Sequence, residues 1–366
     1  MKVYEALRAM SRPELKSILP SKRTLNRLLF DFDSRLSYRK AIPVLSTVYS
    51  NLDRPHEIRL PKSITGSDLM VQKNILATVR NKTNVINKNL VDLENELVEQ
   101  AAELGDNDAI TMLAFETLNS KSTSSAEDFA YAQELVKGLV DKKHPLVFKM
   151  LGDLAFFQKK QHASGVEYWK QFLELESDTV MASQVYSNLG VYYFSYMTPK
   201  PDLTLAKQNF EKSINVGELD KYTVIAHYYL GQLYAVVDPE LGKYHLEVAA
   251  SQGLKESFAT LGFLEMNTFK EYVKAIEWFN LGNEVSNDLT CMVGKFDCYV
   301  NLKEYEKAGE VLGKLEGIEQ QIKNVRVKRL IPKTEELEQS LNTNESTLKL
   351  FFETRKDSVE TVRRNI

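Results

Sequence analysis

The stretches SQVYSNLGVYYFSY at 183–196 and TVIAHYYLGQLYAV at 223–236 carry the same Leu-Gly step inside an aromatic-rich apolar run. The step recurs at Leu151-Gly152, Leu189-Gly190, Leu230-Gly231 and Leu261-Gly262, with Leu113-Ala114 and Val293-Gly294 as weaker copies at either end. Successive copies lie 38, 38, 41, 31 and 32 residues apart. After each full copy a small residue stands four places before a large apolar one: Gly165 before Trp169, Ala206 before Phe210, Gly242 before Leu246, Ala275 before Phe279. Val293-Gly294 has Ala308 before Leu312 in the same role. Self-similarity with a period of roughly 20 to 50 residues marks stacked repeats. The spacing predicts an all-α solenoid of helical hairpins.

Two antiparallel helices approach closely only where one presents little side chain to the other's bulk. Gly152, Gly190, Gly231 and Gly262 are predicted to be those gaps, with the following large residue filling the groove. A helical glycine costs about 1 kcal/mol relative to alanine, so four at matching places imply a packing reason. One such hairpin cannot bury its apolar face, and stacked neighbours complete the core.

Glycine and proline together are 26 of 366 residues, about 7% against an average near 12%, which favours long helices. No proline occurs between Pro239 and Pro332, leaving room for uninterrupted ones. The net charge of -3 predicts neither nucleic-acid nor membrane affinity. Residues 1–40 nonetheless carry ten Lys or Arg against Glu5, Glu14, Asp31 and Asp33. Cys291 and Cys298 lie two turns apart on one expected helix, roughly 10 Å and too far for a disulfide. Buried thiols in a reducing compartment follow. The uncharged stretch from Tyr222 to Val237 is shorter than the ~20 residues a spanning helix needs and reads as a buried repeat helix. No secretory signal is visible.

Residues 1–98 read as a basic helical cap, cut into short pieces by Pro13, Pro20, Pro43, Pro55 and Pro61 and followed by a helical segment from Ser67 to about Leu97. Residues 99–315 hold the repeats, opening with a helix over Leu97–Leu118, a polar loop over Ser120–Ser125 and a helix from Ala126. Residues 316–366 read as a further cap: a basic helix or turn with Lys323, Arg326, Lys328 and Arg329, a polar loop over Ser340–Thr347, and a final helix over Leu348–Val362.

No acid, base or nucleophile group stands at diagnostic spacing, and there is no phosphate loop, nucleophile elbow or His-Glu-x-x-His helix. The five histidines, at 56, 144, 162, 227 and 245, are scattered. A non-enzymatic protein without cofactor or metal is expected. Aromatic residues are enriched in recognition surfaces, and Tyr192, Tyr193, Phe194, Tyr196, Tyr228, Tyr229 and Tyr234 form the candidate one. Helical neighbours point about 100° apart, so one of Tyr192 and Tyr193, and one of Tyr228 and Tyr229, is expected to line a groove for an extended or helical peptide.

The Leu-Gly step with small-x-x-x-aromatic, over roughly 99–315, resembles the tetratricopeptide superfamily of protein-binding scaffolds. Some of its members hold a peptide's terminal carboxylate with lysine and asparagine on successive first helices. Here those positions are Lys149, Asp153, Asn188, Ile225 and Tyr229. Lys149 and Asn188 match, while Asp153, Ile225 and Tyr229 depart and speak against that mode. The candidate groove comprises Lys149, Asp153, Asn188, Tyr192 and Tyr229.

KRTLNRLLF at 22–30, Ser34–Tyr38, AAELGDNDAI at 101–110, TLGFLEMN at 260–267 and FETRKDS at 352–358 resemble a family of yeast mitochondrial tetratricopeptide-like proteins. Those proteins are required to export the carboxy-terminal tail of cytochrome c oxidase subunit 2 across the inner membrane. The resemblance implies a matrix-side, peripheral inner-membrane adaptor whose partners are subunit 2 and the insertase machinery. The expected contact with anionic lipid falls to Lys323, Arg326, Lys328 and Arg329. Glu5 and Glu14 depart from the acid-poor composition of a presequence. The alternatives are a chaperone adaptor or scaffold in another compartment, and an organellar RNA-binding translation factor. The uneven period and the acidic run Glu174–Asp178 speak against RNA, and no nucleic acid is expected.

Overall fold

The structure, a computed structural model, describes residues 12–83, 87–120, 125–327 and 334–366, and among them there is helix and no strand. The fold is all-α, built from helical hairpins of the solenoid class. It divides into two compact units, Met1–Phe172 and Leu173–Ile366.

Among the described residues the first unit begins with helices α1 (Leu15–Ile18), α2 (Lys22–Asp31) and α3 (Tyr38–Ser50), followed by α4 (Gly66–Thr83) and α5 (Lys88–Glu103). Leu25, Ala41, Leu45, Val48, Leu69, Leu76, Leu93 and Leu97 are fully buried in one core. Polar contacts pin the elements around it. Arg12 donates to the Tyr49 carbonyl (3.0 Å) and pairs with Asp53 (2.8 Å), while Arg80 holds Glu94 through two bonds of 3.0 and 3.1 Å. Pro43 was expected to break the chain but lies inside α3, at the loss of one helical hydrogen bond.

The expected helix over Leu97–Leu118 is in fact two, α5 and α6 (Asn107–Asn119). Gly105, at φ +82°, turns the chain, a conformation that favours glycine. Asp106 then caps α6 by accepting from the Ala109 amide at 3.0 Å. The polar loop expected at Ser120–Ser125 lies largely outside the described residues. Helix α7 (Ala126–Asp141) starts where the sequence places it, and Pro145 opens α8 (Pro145–Asp153) at its first turn. In α9 (His162–Leu175) Trp169 is fully buried. A Cβ on Gly152 would stand 2.3 Å from its indole, and one on Gly165 would stand 3.0 Å from the Gly152 carbonyl.

The second unit repeats that interlock in hairpins α10 (Val180–Val191) with α11 (Leu203–Val216), α12 (Lys221–Tyr234) with α13 (Pro239–Ser251), α14 (Lys255–Leu264) with α15 (Tyr272–Ser286), and α16 (Leu289–Asn301) with α17 (Tyr305–Val327). Gly190 faces Phe210, Gly231 faces Leu246, and Gly262 faces Phe279, with a hypothetical Cβ 2.4 to 2.5 Å from each partner. The last copy departs from the expected pairing. A Cβ on Gly294 would stand 2.2 Å from the Phe279 ring of the preceding hairpin, so Phe279, not Leu312, fills that gap. One ring is thereby clasped between glycines of successive repeats, which couples them.

Helices α18 (Glu335–Thr354) and α19 (Lys356–Asn365) close this unit over Phe296, Leu312, Leu315, Phe351 and Val362. Ser340–Thr347 was expected as a loop but lies within α18. Its hydroxyls turn back onto the helix, Thr343 to the Gln339 carbonyl and Thr347 to that of Thr343, each at 2.9 Å, so its polarity marks an exposed face. The expected single helix over Leu348–Val362 breaks at Arg355, whose guanidinium forks onto Asp297 of α16 with two 2.7 Å bonds.

Candidate functional site

The five groove candidates divide between the units. In the first, α8 carries Lys149 and Asp153 one turn apart. Lys149 Nζ lies 2.8 Å from Asp153 Oδ2, and the Trp169 indole donates to Asp153 Oδ1 at 3.0 Å. The lysine charge is neutralised inside its own hairpin, and Asp153 orients the tryptophan that fills the Gly152 gap.

In the second unit Asn188 and Tyr192 lie one turn apart at the end of α10, Asn188 buried and Tyr192 half-buried. Tyr229 of α12 stacks on Phe210 with ring planes 6° apart and centroids 5.2 Å apart, and touches Phe194 at 4.8 Å. Burial pushes its phenol above the ordinary range. Tyr192, Tyr193, Tyr228 and Tyr229 are all half-buried. Each of the four is thus partly covered and partly accessible. Tyr196 is the exposed member, at 45%.

The sequence reading missed how these aromatics are presented. Three Gly-bearing helices run into one turn of π-helix: Leu154–Gln158 after α8, Tyr192–Tyr196 after α10 and Glu265–Phe269 after α14. The widened turns show in the Lys159 amide bonding the Leu154 carbonyl at 3.1 Å and the Met197 amide bonding that of Tyr192 at 2.9 Å. A π turn inserts one extra residue into the helical register and re-aims the side chains beyond it. At Tyr192–Tyr196 the re-aimed residues are YYFSY. No composition signal separates such a turn from ordinary helix, since its residues satisfy the 3.6-residue period up to its last turn.

A further polar cluster joins α12 to α13. Nδ1 of His227 lies 2.8 Å from Nδ1 of His245. Tyr234 stacks on His245, and its hydroxyl donates to Glu211 at 2.7 Å. Burial, then the neighbouring His245, pushes His227 down to about 4. Burial also lowers His245, against the opposing pull of Glu211. Because the native state keeps His227 neutral, the unfolded chain holds more protons between pH 6.5 and 4. Stability is then fully present above 6.5 and falls as the pH drops through that window, by at most about 3 kcal/mol. Urea unfolding at pH 7 and 4.5 is expected to show a steeper loss for the natural chain than for His227→Asn. Equal losses would contradict the assignment.

Of the four candidate membrane cations, Lys323 pairs with Glu319 at 2.7 Å and Arg326 with Glu345 at 2.9 Å. Lys328 and Arg329 lie outside the described residues. Among the described residues no helix is long and apolar enough to cross a membrane, and no group of three or more His, Cys, Asp or Glu side chains is placed to hold a metal ion.

Residues 11–106 match the family model of the MSS2 N-terminal domain. Over 307 residues the chain is 34% identical to "Protein MSS2, mitochondrial" of Saccharomyces cerevisiae, across 82% of this chain and 86% of that protein. Among solved structures it is similar to a protective antigen of uropathogenic Escherichia coli with an SLR fold (17% identity, 86% of this chain and 65% of that one, TM-score 0.48). It is also similar to a Sel1 repeat protein of Oxalobacter formigenes (16% identity, 65% of this chain and 95% of that one, TM-score 0.44). Neither of these two bears on function.

Proposed function

The chain belongs to the MSS2 family, and from that premise we propose that it is a mitochondrial, non-enzymatic adaptor that binds the tail of cytochrome c oxidase subunit 2 during its export. The observation that carries this reading is the 34% identity, which extends over 86% of the yeast mitochondrial relative. The helical-repeat architecture supports a role in protein binding. Its work is to hold an unfolded segment, which asks for apolar and hydrogen-bonding surface and no catalytic group. The half-buried aromatic flank of Tyr192–Tyr196 and Tyr229 meets that need, because tyrosine brings contact area at low entropic cost.

In this reading the protein sits on the matrix side of the inner membrane beside the insertase. The basic residues of the amino terminus and of 323–329 touch anionic lipid, each contributing about 1 kcal/mol near the surface. In this reading Lys328 and Arg329 carry more of that contact, since Lys323 pairs with Glu319 and Arg326 with Glu345.

Photo-crosslinking tests the reading at residue level. A benzoyl-phenylalanine at Tyr192 is expected to capture newly made subunit 2 in isolated mitochondria, and one at Tyr131 of α7, 63% exposed, is expected not to. Equal capture from both positions, or capture from neither, would remove the groove assignment.

A further inference from the structure

The second unit holds a pair of nitrogen donors that face each other between adjacent helices. His227 on α12 and His245 on α13 direct Nδ1 atoms at one another, 2.8 Å apart. Two neutral imidazoles in that arrangement share a single proton: one Nδ1 carries it, and the other offers its lone pair. Both rings lie within the contact between the two helices, and His245 is only 6% exposed.

We propose that His227 and His245 form a two-coordinate site for a monovalent copper ion, held between their Nδ1 atoms. On binding, the shared proton moves to Nε2 of the ring that carried it. Both rings then present an Nδ1 lone pair to the metal, with no net proton release. Imidazole nitrogen suits copper among the first-row metals. The choice of ion follows from the donor count. Zinc, calcium and magnesium need four or more ligands, and among the described residues no third His, Cys, Asp or Glu joins the pair. Monovalent copper, with a filled d shell, is satisfied by two donors in line.

The surroundings suit a single positive charge. The Tyr234 ring stacks on His245 at 5.7 Å, that of Tyr244 meets it edge-on at 5.3 Å, and the Tyr234 hydroxyl brings in the Glu211 carboxylate. Lys207 lies over Tyr234 at 4.4 Å and 3.9 Å from Glu211, which offsets its charge. Metal–imidazole bonds are about 2 Å long, so binding opens the pair by roughly 1 Å. His227, half-buried, is the ring with room to move and the route by which the ion enters.

The test is an anaerobic titration of the full chain with Cu(I) against a chromophoric Cu(I) chelator, repeated on His227→Asn, His245→Asn and a Cys291→Ser/Cys298→Ser double variant. One equivalent per chain is expected, with affinity at least tenfold weaker in either histidine variant and unchanged in the thiol variant. Those thiols are buried in α16 and pushed up to about 12 by burial. Absence of binding, equal binding in the histidine variants, loss in the thiol variant, or Zn(II) held as tightly as Cu(I) would each overturn the site. X-ray absorption of the loaded natural chain is independent of any variant's folding: two nitrogen scatterers are expected, and sulfur would contradict the proposal.

Discussion

Gly190→Ala is expected to lower the stability of the chain by about 1 kcal/mol, and Gly313→Ala to raise it by about 1 kcal/mol. Both glycines lie inside helices, where the change to alanine is intrinsically favourable by about 1 kcal/mol. Their surroundings differ. Around Gly313 a Cβ meets nothing within 4 Å, whereas at Gly190 it would stand 2.4 Å from Cε1 of Phe210. The ring cannot swing aside, because Phe210 is fully buried with Tyr229 stacked on its face. Overpacking of this kind costs about 1 to 3 kcal/mol and outweighs the propensity gain. Gly138, also in open space, is expected to follow Gly313. Urea unfolding of the three variants reads the sign directly. A stabilising Gly190→Ala would mean that the repeat glycines are not packing gaps.

That contrast also marks what the sequence makes legible. The gaps at Gly152, Gly190, Gly231 and Gly262 and their fillers Trp169, Phe210, Leu246 and Phe279 can be read from spacing alone, because both partners belong to one hairpin of nearly fixed geometry. The Gly294 contact cannot, because its filler comes from the preceding hairpin, and the competing local choice, Leu312, satisfies the same pattern. Ser340–Thr347 reads as a loop by composition, yet exposed serine, threonine and asparagine are compatible with a helix whose apolar stripe lies elsewhere, here at Leu348 and Phe351.

The candidate site was less legible than the fold. Lys149 and Asn188 match a carboxylate-binding pattern by position, but the salt bridge from Lys149 to Asp153 depends on which residue stands one turn on, and Asp153 was read there only as a departure. The π turns that aim the aromatic flank leave no trace in periodicity. The His227–His245 contact joins residues 18 positions apart across a turn, where helix phase decides whether two rings meet, and scattered histidines give no hint of it.

The largest functional effect is expected in living cells. In yeast lacking MSS2, newly made cytochrome c oxidase subunit 2 is expected to leave its carboxy-terminal tail in the matrix. The same cells supplied with this chain are expected to regain most of the export. The two proteins share 34% identity over 307 residues, enough to keep the hairpin framework, and an adaptor that recognises an extended segment tolerates change outside its contact residues. Protease added outside the inner membrane distinguishes the two states, since it trims an exported tail and spares a stranded one. Restored trimming, with the chain recovered from mitochondria, is the result this account predicts; an untrimmed tail, despite the chain being folded and present at normal abundance in mitochondria, would contradict it.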